Sequence, residues 1–77
     1  MHNKDLDVLR DVHNEQRWKN IGGGYRWRVE RNYEVGGGWD AVVIGPGGGQ
    51  LFRKTVYQGL ETAERLAIKM CHDIKQQ

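Results

Sequence analysis

Serine is absent from the 77 residues of this chain, and threonine occurs only at Thr55 and Thr62. A serine nucleophile is therefore excluded. Cys71 is the one cysteine, so no internal disulfide can form, and its position on an apolar helical stripe marks a small buried hydrophobe rather than a reactive thiol. His72 adjoins it, but neighbours on a helix point about 100° apart, which separates the two as a catalytic pair. His2, His13, His72 and Cys71 show no metal-ligand spacing, neither C-x-x-C nor H-x(3–5)-H. No G-K-[ST] occurs. The expectation is a protein that is not an enzyme, with no catalytic residues, no metal and no cofactor.

Long apolar runs are also lacking. None approaches the roughly 18 residues of a membrane span, and the opening "MHNKDLDVLRDV" has no apolar core of a secretory signal. We expect a cytoplasmic protein in a reducing setting, without membrane contact. So short a chain makes one domain, residues 1–77, and buries about 60% of the surface its unfolded form exposes.

Charge is present in both signs, and its distribution is informative. The formal net charge is +2. Residues 1–24 carry four bases and four acids, and residues 60–77 carry three of each. The excess sits in the middle, where Arg26, Arg28, Arg31, Arg53 and Lys54 face Glu30, Glu34 and Asp40. Four of these five bases are arginine, whose planar fork suits phosphate better than the lysine ammonium does.

Periodicity gives the elements. Leu6, Leu9, Val12 and His13 recur at helical spacing after a capping Asn3, so residues 1–20 read as a helix that "IGGG" ends. Tyr25, Trp27 and Val29 alternate with Arg26, Arg28 and Glu30, which predicts a half-buried strand. "WDAVVI" and "LFRKTVY" supply two more, giving a sheet over residues 25–57. From 61 to 76 the period changes to that of a helix, with Ala63, Leu66, Ala67, Met70, Cys71 and Ile74 on one stripe, Thr62 placed as a cap and Glu61 to Arg65 as an i,i+4 pair. The predicted fold is α+β, in the order α-β-β-β-α: a three-stranded antiparallel meander with the C-terminal helix on one face.

Glycine is abundant, and "GPGGG" at 45–49 invites comparison with a phosphate-cradling turn. Such a turn must open a helix, whose first N–H groups hold the anion. Here "QLFRKTVY" follows, a run of strand formers, and the third glycine of G-x-G-x-x-G would fall on Gln50. These glycines are hairpin turns, flexible at their tips.

If the helix covers Tyr25, Trp27, Val29, Ala41 and Val43, then Arg26, Arg28 and Glu30 project from the other face beside Asp40 and either Arg53 or Lys54, with Val42 and Ile44 among them. Glu30 and Asp40, lying across neighbouring strands among arginines, read as salt-bridge partners. Any half-buried antiparallel sheet shows charges on its open side; an uncovered, basic, partly apolar sheet face is also a docking platform.

The stretch "YRWRVER…WDAVVIGPGGGQLFRKTVYQGLETAERLAIKM" resembles the small three-stranded-sheet-plus-helix DNA-binding domains of plant ethylene-response factors and of the arm-binding amino termini of tyrosine recombinases. Trp39, Ala41 and Val43 match the W-x-A-x-[IV] second strand, and Thr62-Ala63-Glu64 with Leu66-Ala67 approximates the helix start. The resemblance implies a sheet laid in the major groove of double-stranded DNA. Arg26, Arg28, Arg31, Arg53 and Lys54 would reach bases or phosphates, and Trp39 would stack on the backbone. The chain departs from the pattern at Asp40, Val42 and Ile44, where the family places polar or basic groups; short motifs of this kind recur in small phage and bacterial proteins.

Two other readings stand beside it. The overall order is that of double-stranded-RNA-binding domains, but those grip phosphate with lysines at the start of the last helix, where this chain has Glu61 and Glu64. A protein-binding module, such as a phage-type inhibitor of a host protein, would use the sheet face and glycine loops, with Trp18, Trp39 and Tyr57 as anchors. The first helix would allow a homodimer in place of a monomer.

Overall fold

A computed structural model describes residues 17–34 and 36–77. The elements in order are β1 (Lys19–Gly22), β2 (Tyr25–Arg31), β3 (Trp39–Ile44), β4 (Gln50–Val56) and the helix α1 (Leu60–Lys75). All four strands form one antiparallel sheet in the order β1-β2-β3-β4.

The sheet therefore has four strands where the sequence predicts three. Lys19–Gly22 pairs with β2 through Lys19↔Trp27 and Asn20↔Arg26, so these residues are strand rather than the end of a helix. The reason is the turn. Gly23 and Gly24 hold φ of 66° and 85°, the mirror-image conformation that suits a two-residue hairpin and that glycine adopts without penalty. Of the predicted N-terminal helix, residues 1–16 lie outside the described residues. The α+β class, the antiparallel meander and the C-terminal helix on one face are as expected.

The "GPGGG" segment is a hairpin turn between β3 and β4. Gly48 N–H donates to the Gly45 carbonyl (2.9 Å) with Pro46 next after Gly45, where its fixed φ is preset for the turn.

Period two divides the sheet as the alternation requires. Trp27, Val29, Ala41, Val43 and Val56 face α1, and Val29, Ala41 and Val43 are fully buried. The helix brings Ala63, Ala67 and Cys71, all fully buried, to meet them. Two clusters result. One gathers Trp27, Ala41, Val43, Ala67 and Cys71; the other gathers Val29, Val56 and Ala63; Leu66 packs against both. Each fully buried valine contributes about 1.5–3 kcal/mol by leaving water.

The helix begins one turn earlier than a Thr62 cap requires. Gly59 at φ 119° occupies the N-cap, and no side chain caps it. The Glu61–Arg65 pair forms as expected. At the other end Lys75 Nζ donates to the Ile21 carbonyl (3.1 Å), tying the last turn of α1 to β1.

Candidate functional site

Register fixes what the sheet face away from α1 displays. Arg26, Ile44 and Gln50 form one cross-strand row, Arg28, Val42 and Arg53 the next, and Glu30, Asp40 and Thr55 the third. Arg53, rather than Lys54, is the member from β4 that joins this face. Lys54 pairs with Ala41 and lies on the helix side.

The acids and guanidiniums of these rows are bound to one another. Arg28 donates to Glu30 through Nε (2.7 Å) and Nη2 (2.5 Å). Arg53 bridges two carboxylates, with Nη2 to Glu30 (2.9 Å) and Nη1 to Asp40 (2.7 Å), and its Nε donates to Gln50 (3.0 Å). Arg28 also lies over the Trp18 ring at 4.2 Å. Between the two arginines Val42 is only 2% exposed, although it sits on the side away from the helix. Arginine stems cover apolar surface in this way while their heads stay wet.

Asp40 is the most buried charge among the described residues. Its Oδ1 accepts from the Thr55 hydroxyl (2.6 Å) and the Asn32 amide (3.1 Å), and Asn32 donates also to Thr55 Oγ1 (3.2 Å). Burial disfavours the carboxylate, but these bonds from Thr55 and Asn32, with the Arg53 guanidinium, outweigh it and hold Asp40 below its ordinary range. The same two carboxylates raise Arg53 against its own desolvation. Neither Asn32 nor Thr55 stood out in the sequence, because their role depends on register across the 32–38 loop. The Asn32 N–H donation to Gly38 (2.8 Å) that closes this loop has no sequence signature.

The six residues expected to touch nucleic acid do not share a face. Arg26, Arg28 and Arg53 lie on the side away from α1. Arg31, Trp39 and Lys54 belong to rows on the helix side. Trp39 packs against the Val29, Val56 and Ala63 cluster, with Arg31 over its ring at 4.8 Å. Arg31 also approaches the Tyr33 ring, at 5.8 Å.

Cys71 is buried, and burial raises its thiol pKa against a smaller opposing effect of Lys75. Among the described residues no group of histidines, cysteines and acids is arranged to hold a metal ion, and no helix is long and apolar enough to cross a membrane.

A second surface is open. β4 is the edge strand of the described sheet and is largely exposed. Leu51, 49% exposed, lies in it, and Tyr57, 62% exposed, follows it directly. Beside its last residues runs a groove of about 480 Å³, lined by residues 54–58 and by Thr62 and Leu66 of α1. Comparison with protein-family models, with curated proteins and with solved structures finds no match to this chain.

Proposed function

We propose that this chain is a non-enzymatic protein-binding module that receives its partner at the edge of the sheet along β4. The observation that carries this reading is the neutralisation of the arginine row. Glu30 and Asp40 take up donors of Arg28 and Arg53 on the face that the resemblance assigns to DNA. A phosphate arriving there meets two carboxylates already in place, and like charges in close proximity oppose its binding. Arg26, Arg31 and Lys54 have no carboxylate partner among the described residues, but they are divided between the two sides of the sheet and cannot track one backbone together. The edge of β4, in contrast, offers backbone groups along its length and, at its C-terminal end, the exposed Tyr57 beside a groove. Recognition by strand addition uses those three ingredients.

Duplex DNA is the competing outcome of the same test. A labelled random-sequence duplex is titrated at low salt, alongside a selection from a display library of random peptides. The expected result is no duplex binding at micromolar protein, and recovery of peptides that protect β4 amides from hydrogen exchange. Duplex binding whose log affinity falls against log salt with a slope near −4, the signature of about four or five phosphate contacts, overturns the proposal. Such binding would also vanish in the Arg26→Ala/Arg28→Ala double variant. Both arginines are half-buried, so that variant's fold is checked by circular dichroism first.

A further inference from the structure

Resting on that reading, we infer that β4 takes an extended acidic segment of a partner protein as a fifth strand, with a carboxylate of the segment meeting Lys54 and an apolar side chain entering the groove beside Leu66.

The backbone comes first. Alternate residues of an edge strand direct N–H and C=O groups away from the sheet. Among the described residues nothing pairs with β4 on the side away from β3. An added strand sits about 4.8 Å away, and its side chains alternate between the two faces.

Charge then selects the occupant. Gln50–Val56 reads QLFRKTV, with Arg53 and Lys54 and no acid. A second copy pairing β4 to β4 antiparallel would bring these cations of the two chains together near the centre of the ladder, which is destabilising. A segment carrying carboxylates reverses that sign. Arg53 is already held by Glu30 and Asp40, which leaves Lys54 as the cation that the occupant must answer. Lys54 is also the one charged residue lining the groove.

Period two sets the spacing. Lys54 and Val56 lie on the helix side, and Leu66 of α1 flanks the same groove. An incoming carboxylate opposite Lys54 therefore has its next same-face neighbour two residues along, opposite Val56 and against Leu66, where an apolar side chain fits. The recognised pattern is an acid and a branched apolar residue separated by one residue. The Glu61 carboxylate at the start of α1 is engaged by Arg65 and does not compete for Lys54.

The test uses the full chain and three short capped peptides built on threonine. The first carries glutamate and valine separated by one residue, the second replaces that glutamate with lysine, and the third is the first with N-methylated backbone amides. The glutamate peptide should bind about fivefold more tightly than the lysine peptide, the scale of one exposed ion pair. It should slow exchange of β4 amides, and the N-methylated peptide should not. Lys54→Glu, at an exposed position, should invert the preference.

Equal binding of the two charged peptides, protection on another element, or a β4-paired dimer in sedimentation each overturn the inference. If library peptides bind while the glutamate peptide does not, this inference fails and the protein-binding reading stands. If the duplex binds instead, both fail.

Discussion

Asp40 accepts hydrogen bonds from three side chains in a setting only 8% exposed, so removing its charge leaves Arg53, Thr55 and Asn32 with incomplete partners. Asp40→Asn should lose about 1–3 kcal/mol at neutral pH, the usual cost of unsatisfied buried polar groups. The pH dependence has a definite sign. A folded-state pKa below the ordinary 3.8 means that the stabilisation is complete above that value and is lost as pH falls through the folded-state value. Urea unfolding of both proteins should therefore show their difference largest near pH 7 and shrinking below pH 3.8. A difference that stays constant on acidification would sink the assignment. Glycines give a second contrast. A Cβ at Gly38 would lie 2.8 Å from the Val56 carbonyl oxygen, a backbone atom that cannot retreat, whereas at Gly45 it would lie 2.8 Å from Cδ1 of Leu51, half exposed and able to swing aside. Gly38→Ala should cost about 1–3 kcal/mol, and Gly45→Ala should stay within about 0.5 kcal/mol. Equal losses in a denaturant titration would contradict the packing described. At this scale the pairing of Glu30 and Asp40 with arginines was legible, because alternation puts all of them on one side. Asn32 and Thr55 were not, because their meeting depends on how a loop closes.

At the level of elements, α1 spans both halves of the core, and its Leu66 packs against both clusters. Leu66→Ala should therefore weaken both together. The side chain is half-buried, and the loss should be about 2 kcal/mol, the low end for a leucine truncation. Thermal unfolding monitored separately by tryptophan fluorescence and far-ultraviolet circular dichroism should shift by the same amount. A shift in one probe alone would mean that the clusters are independent. The helix was readable from its stripe, and β2 and β3 from their alternation. β1 was missed because four residues with lysine and asparagine in front carry little apolar pattern, and the helical spacing upstream of it extended the wrong period. The signal that would have found it is the pair Gly23-Gly24 immediately before a strong strand, a hairpin cue that reads equally well as a helix stop. Thr62 misled for a related reason. A capping residue type was present, but the chain leaves β4 through Gly59 at φ 119°, and the helix starts there instead.

For the molecule as a whole, the division of the sheet into a side that faces the C-terminal helix and a side turned away from it followed from the sequence alone. That β4 is an edge followed as well, but which strand forms the opposite edge did not, because that depends on strand count. With three strands the edges would be β2 and β4; the addition of β1 leaves β4 and a four-residue strand as the borders of the described sheet. The net positive charge of the middle segment is read from the sequence, and the structure adds which of its bases meet carboxylates. Of the five bases counted along this segment, Arg28 and Arg53 are held by Glu30 and Asp40 once placed in register, while Arg26, Arg31 and Lys54 have no carboxylate partner among the described residues.

The meander also bears on how the chain finds its shape. Every strand pairs with its successor through a short connection, so each hairpin closes at a small cost in loop entropy and can form early and nearby. The bond from Lys75 to Ile21 spans 54 positions and can be made only after β1 and the last turn of α1 have come together. It therefore acts as a clasp fastened last, and loosening it should quicken the opening of the folded protein while leaving the rate of its assembly almost untouched.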